Sequence, residues 1–220
     1  MKHQIILTND GSFTIFIPEM DETYHSRKGA IAESIHVYIK SGLEFVAHNK
    51  ERIKIFEFGF GTGLNALLSW QFAEKCHKTI FFDSVEKYPL EKDVYSKLNY
   101  DEQMGTDNLL IGLHEANWNE SIILSDLFIL QKFSTDINLY AFPKDYYDLV
   151  FYDAFAPSKQ AEVWTVSILK KLHDSMVLGG ILTTYCSQGE FKRNLKSLGF
   201  KVEKIAGPLG KREMIRATKY

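Results

Sequence analysis

The stretch Ile53-Lys54-Ile55-Phe56-Glu57-Phe58-Gly59-Phe60-Gly61-Thr62-Gly63-Leu64-Asn65 restricts the fold more than any other part of the chain. Its alternation of β-branched and aromatic residues up to Phe58 reads as a buried strand. Gly59, Gly61 and Gly63 then occupy every second position, and Leu64 to Trp70 opens a helix. Strand, glycine turn and helix make the nucleotide-binding corner of an open, mostly parallel α/β sheet. Glycine permits positive φ there and lets a ligand lie against bare backbone. The competing reading is a tight turn that only packs helix on strand. Glu57 narrows the ligand. A carboxylate inside the turn repels a pyrophosphate and attracts an ammonium group, which disfavours a dinucleotide.

The remaining pattern supplies a sheet around this corner. Residues 4–8 and 13–17 are short apolar runs joined by Asn9-Asp10-Gly11-Ser12, the signature of a β-hairpin. Residues 29–48 carry helical spacing through Ile31, Ile35, Tyr38 and Ile39. We therefore read 1–50 as an N-terminal hairpin and helix placed before a main domain at 51–220. In that domain, strands are expected at 79–86, 121–126, 147–153 and 181–185, and a late antiparallel pair at 200–205 and 213–218. Helices are expected at 64–75, 89–98, 104–113, 127–133, 162–178 and 190–198. The sum is a Rossmann-like α/β domain with a seven-stranded, mostly parallel sheet and an antiparallel last strand.

Four successive strands end in or beside an acid: Glu57, Glu86, Asp126 and Asp153. Each alone reads as a helix N-cap. Together they line the carboxyl edge of a parallel sheet, where ligands bind. Glu86 lies 23 residues beyond Gly63, about the spacing at which an acid takes the hydroxyls of a ribose. S-adenosyl-L-methionine (SAM) fits this set: Glu57 faces the methionine amine or the loop, Glu86 the ribose and Asp126 the adenine amino group. Asp153 remains beside the methyl donor, where a carboxylate can orient an amine and take its proton. Phe155, just beyond it, walls the methyl group or stacks on a base, or simply packs its loop.

The net charge of −2 is unevenly spread. Residues 191–220 hold nine Lys and Arg against two acids, leaving −9 on residues 1–190. A basic end on an acidic body suits a polyanion, with Lys192, Arg193, Lys211 and Arg212 as the phosphate contacts, or else a solvated helix face and tail. Cys76 and Cys186 form no metal or disulfide spacing, the seven His form no metal-binding pattern, and no apolar run reaches membrane-spanning length. A cytoplasmic, metal-free enzyme with no membrane attachment is the expectation.

Four segments in combination carry a resemblance: Glu57 to Leu64, Ser84-Val85-Glu86-Lys87-Tyr88-Pro89-Leu90, Asp153-Ala154-Phe155-Ala156-Pro157-Ser158-Lys159 with Trp164-Thr165, and Gly210-Lys211-Arg212-Glu213-Met214. The chain resembles the methyltransferase domain of the MnmC family of bifunctional tRNA-modifying enzymes. The resemblance implies a class I SAM-dependent methyltransferase. It would N-methylate the 5-aminomethyl group of wobble (2-thio)uridine in tRNA, giving 5-methylaminomethyl-(2-thio)uridine. It implies that Glu57, Gly59, Gly61, Gly63, Glu86, Lys87 and Asp126 hold SAM, that Asp153 is catalytic and also meets SAM, and that Tyr24 and Ser26 reach the SAM site. Phe155, Pro157 and Trp164 would face the tRNA substrate. No sequence for the family's FAD-dependent oxidase follows Tyr220, so the amine is expected to come from another protein or from a pathway that makes aminomethyluridine directly. Two alternatives use the same fold: a methyl- or aminopropyltransferase for small amines, and an inactive tRNA-binding protein.

Overall fold

A computed structural model describes residues 2–220. The main sheet comprises β4 (Arg52–Phe58), β5 (Thr79–Glu86), β6 (Ser121–Ser125), β7 (Phe128–Ser134), β8 (Tyr147–Tyr152), β9 (Met176–Thr184), β10 (Phe200–Ala206) and β11 (Glu213–Lys219). Their order across the sheet is β10-β11-β9-β8-β4-β5-β7-β6. The five strands from β9 to β7 run parallel. β11 enters antiparallel between β9 and β10, as expected of the late pair. Every residue of β8 is buried, because apolar layers cover both faces of the sheet centre. That double cover is why the strand reads as an unbroken apolar run.

Among the described residues the sheet has eight strands, one more than expected. Residues 127–133, read as a helix, form β7. Phe128, Leu130 and Lys132 point inward and alternate with less buried neighbours. Lys132 disguised this period-two pattern, being a lysine at a wholly buried position. Its Nζ donates to the carbonyls of Leu113 (2.7 Å) and His114 (2.8 Å), at the end of the helix Leu109–Glu115. An ammonium is favourable beside those free carbonyls. The strand expected at 121–126 is β6, an antiparallel edge strand hairpinned onto β7.

Other boundaries move as well. The helix expected at 162–178 spans Val166–Ser175, capped by the Thr165 side chain. Met176 to Leu178 already belong to β9, and its register against β8 shifts between Tyr147 and Leu149, where Gly179 and Gly180 are accommodated. The single helix at 104–113 is two, Tyr100–Met104 and Leu109–Glu115, separated after Gly105.

Before the main sheet, β1 (Gln4–Leu7), β2 (Phe13–Ile17) and β3 (Glu22–Thr23) form a small antiparallel sheet. A continuous helix follows over 30–47, and its middle, Ile35–Leu43, is π-helical. Ile15, Val37, Tyr38 and Leu43 share one core with Ile55, Leu67, Leu149 and Phe151 of the main domain. Among the described residues no helix is long and apolar enough to cross a membrane.

Candidate functional site

The carboxyl ends of β4, β5, β7 and β8 open into one cavity of about 1000 Å³, and Tyr24, His25, Ser26 and Glu33 close it from the N-terminal region. A pocket for one drug-sized molecule spans roughly 300–1,000 Å³. This one therefore has room for a nucleoside cofactor and an acceptor group together. Among the described residues, seven carboxylates line it against four Lys and Arg, which suits a cationic ligand.

The glycine turn forms one wall. Gly61 sits at φ +50°, and a Cβ there would meet the Tyr24 ring at 3.1 Å. A side chain at Gly61 would be strained and would also push Tyr24 away. Gly63 does a different job. It lies at φ +74°, and a Cβ would meet His114 and Phe60 at 3.1 and 3.2 Å. Gly59 and Gly61 face the cavity, whereas Gly63 lets the helix Leu64–Cys76 begin against Leu109–Glu115.

Glu86 stands at the end of β5 as expected. Its two oxygens accept the Gly61 N–H (3.1 Å) and the Tyr88 N–H (2.8 Å), which aims the carboxylate over the turn. Burial raises its pKa, opposed by those backbone donors. Lys87 also lines the cavity and pairs with Asp136 at 2.9 Å.

Asp126 is not in the site. It is exposed in the turn between β6 and β7, beside Ile80 at the start of β5, hence at the amino edge of the parallel strands. The acid that reaches the cavity from this strand is Asp136, just past the carboxyl end of β7. The Asn138 backbone N–H (2.9 Å) and side-chain amide (2.8 Å) hold it, and with Lys87 they keep its pKa low. Period-two spacing from Phe128 to Phe133 is the signal that would have found it.

Glu57 lies one layer beneath the wall. It is 1% exposed, does not line the cavity, and accepts a hydrogen bond from the Ser84 hydroxyl at 2.9 Å. Burial first, then the nearby Asp153, raise its pKa well above the usual carboxylate range. Between the two acids sits Asn65. Its Nδ2 donates to Asp153 Oδ2 at 2.8 Å, and its Oδ1 is buried with no partner among the described residues.

Asp153 follows β8 and lines the cavity beside Gly59, Asn65 and Phe155. The Tyr38 phenol donates to its Oδ1 at 2.5 Å. Burial raises the carboxyl to about 6, against the lowering effect of Tyr38 and Asn65. The group is thus mainly charged at neutral pH, yet holds a proton more readily than a surface Asp. Tyr38 was not singled out by sequence reasoning: its spacing marks it only as a core position on a helix.

Among the expected substrate residues, Phe155 lines the cavity and meets Tyr24 edge-on at 5.2 Å. Pro157 does not line it. Trp164 is buried behind, donating from Nε1 to the Phe155 carbonyl at 2.8 Å, so it supports that loop instead of touching a ligand. Lys211 reaches the cavity, lies 3.9 Å above the Tyr185 ring and pairs with Glu33 at 3.2 Å. Lys192 is turned onto Glu213 (3.1 Å) and is only 19% exposed, which removes it from the expected phosphate contacts. Arg193 and Arg212 are exposed and form no ion pair among the described residues.

Two features fit SAM: bare glycine backbone beside a carboxylate at ribose distance along the chain, and acids facing a space where a sulfonium would sit. Similarity to known proteins agrees. Two relatives named tRNA 5-methylaminomethyl-2-thiouridine biosynthesis bifunctional protein MnmC are each 31% identical. The one from Cupriavidus metallidurans aligns with 95% of this chain, and the one from a Marinomonas species with 89%. The chain spans about a third of their length, 33% and 31% respectively. The crystal structure of MNMC2 from Aquifex aeolicus superposes on the whole chain with a TM-score of 0.80 at 27% identity, using 70% of that protein. The profile of the family described as S-adenosyl-L-methionine-dependent methyltransferase matches residues 78–220. That match takes in the strand ends carrying Glu86, Asp136 and Asp153, and by it the chain belongs to the SAM-dependent methyltransferases.

Proposed function

We propose that this chain methylates the nitrogen of a 5-aminomethyl group on wobble (2-thio)uridine in tRNA, giving 5-methylaminomethyl-(2-thio)uridine. The observation that carries the reading is Asp153: a cavity-facing carboxylate held on both oxygens, at the end of the strand beside the glycine turn. The names of the MnmC relatives supply the substrate class.

When bound, SAM supplies an electrophilic methyl group on sulfur. The chain's own residues have three tasks. Glu86 and Asp136 would hold the ribose and adenine sides of SAM. Asp153 orients the acceptor amine, which must be neutral to attack, and accepts the proton that nitrogen sheds as the N–C bond forms and the methyl–sulfur bond breaks, the bonding pair leaving with the sulfur as a neutral thioether. The Tyr24 and Phe155 rings give the uracil ring an aromatic wall, a favourable surface for an unstacked base. Arg193 and Arg212, with Lys211 at the rim, are the cations offered to phosphates.

Asp153→Asn tests the assignment. The amide keeps the shape but is a very poor base. SAM affinity should stay within about twofold, while single-turnover methyl transfer to aminomethyluridine tRNA should fall roughly 10²–10⁴-fold. A wild-type rate in this variant across pH 6–9 would remove Asp153 from the mechanism.

A further inference from the structure

We propose that Tyr38 is a positioning residue for methyl transfer: from the N-terminal helix, its phenol fixes the plane and rotamer of Asp153. This rests on the role given to Asp153 above.

The geometry starts with the helix. A straight α-helix repeats every 3.6 residues; a π-helical stretch closes i to i+5 bonds and widens the turn, and such stretches recur at functional sites. Here the stretch is Ile35–Leu43, ending with the Glu44 N–H bonded to the Ile39 carbonyl. Gly42 lets it approach the sheet. A Cβ at Gly42 would meet Thr183 Oγ1 at 3.1 Å and Leu149 Cδ1 at 3.2 Å. Tyr38, one turn earlier, is thereby brought to the carboxyl end of β8. Its ring is 1% exposed and packs on Phe151 with centroids 5.1 Å apart. The phenol therefore has one direction available, and it points at Asp153.

Two donors from different elements thus grip one carboxylate: Tyr38 on Oδ1 at 2.5 Å and Asn65 on Oδ2 at 2.8 Å. Each oxygen keeps a lone pair for the acceptor amine. Tyr38 stays a donor at every working pH, because burial and the facing Asp153 raise the phenol well above its usual value. Other ionisable groups around Asp153 are Glu33 on the same helix, Glu57 on β4, Lys211 on the loop before β11 and Tyr185 after β9. Among these, Glu33 raises and Lys211 lowers the Asp153 pKa, and the Tyr38 hydrogen bond lowers it more than Lys211 does.

Tyr38→Phe removes one oxygen and leaves the ring packing in place. Single-turnover transfer to aminomethyluridine tRNA should slow by about 10- to 100-fold, the range expected when a reacting group loses its aim. SAM affinity should remain within about twofold. The amine imposes its own pH slope, so the diagnostic is the low-pH break at which Asp153 protonates. Losing a bond to the charged form raises the carboxyl, and the break should move to higher pH. The double variant Tyr38→Phe/Asp153→Asn should be no slower than Asp153→Asn alone, since Tyr38 acts only through Asp153. Additive losses, a parallel fall in SAM affinity, or an unchanged rate and break in Tyr38→Phe would overturn the proposal. A wild-type rate in Asp153→Asn would instead overturn the reading on which it rests.

Discussion

At the scale of single residues, the site depends on which edge of the sheet a carboxylate occupies. Glu86 and Asp136 stand at the carboxyl edge, and Asp126 at the amino edge. In the proposed site Glu86 is the acceptor for the ribose hydroxyls, so Glu86→Ala would remove a charged acceptor, and charge-assisted hydrogen bonds contribute about 1.5–3 kcal/mol. Calorimetry should show SAM affinity falling roughly tenfold or more. Asp126→Ala should leave it unchanged. Equal losses in the two variants would contradict this placement. Glu86 and Asp153 were legible in the sequence because each closes an apolar run whose period is unmistakable. Asp136 was not, since a buried lysine interrupts its strand pattern and Asp126 offered a nearer acid.

At the scale of elements, β4 and the turn after it were readable, but the role of Glu57 was not. Sequence places it inside the turn; register places it opposite Ser84 and Phe151, in the sheet and under the wall. Its raised pKa has a consequence for stability. A carboxyl raised on folding stabilises the fold fully below its unfolded value, and that contribution is lost as pH climbs through the folded value. Glu57→Gln keeps an acceptor for Ser84 and removes the ionisable group. The cofactor-free variant should melt higher than wild type at pH 8, with a smaller difference at pH 5. For a chain of this size, about 1 kcal/mol corresponds to roughly 2–4 °C in Tm. A variant that melts lower than wild type at pH 8 would contradict this account of Glu57. The 30–47 helix poses the opposite case. Its existence was plain from its spacing, but no local signal announced its π-helical middle, in which Gly42 packs closely on the sheet.

At the scale of the whole molecule, the charge asymmetry read from the sequence is partly spent inside the fold. Lys192 and Lys204 both pair with Glu213, Arg216 with Glu203, Lys219 with Asp145 and Lys211 with Glu33. The basic end is therefore braced by ion pairs, and among the described residues Arg193 and Arg212 form none. The N-terminal region is likewise more than an appendage, since Tyr24 covers Gly61 and Tyr38 holds Asp153. The glycine turn, the gripped carboxylate, the Tyr24 and Phe155 rings and the cations at the rim all bear on the proposed function, transfer of a methyl group to an amine on tRNA. The direct measurement is mass spectrometry of nucleosides after incubating the protein with methyl-labelled SAM and an equimolar mixture of spermidine and tRNA bearing 5-aminomethyl-2-thiouridine. The account predicts label in 5-methylaminomethyl-2-thiouridine at the wobble position and none in spermidine. Label in spermidine with the tRNA nucleoside untouched would contradict it.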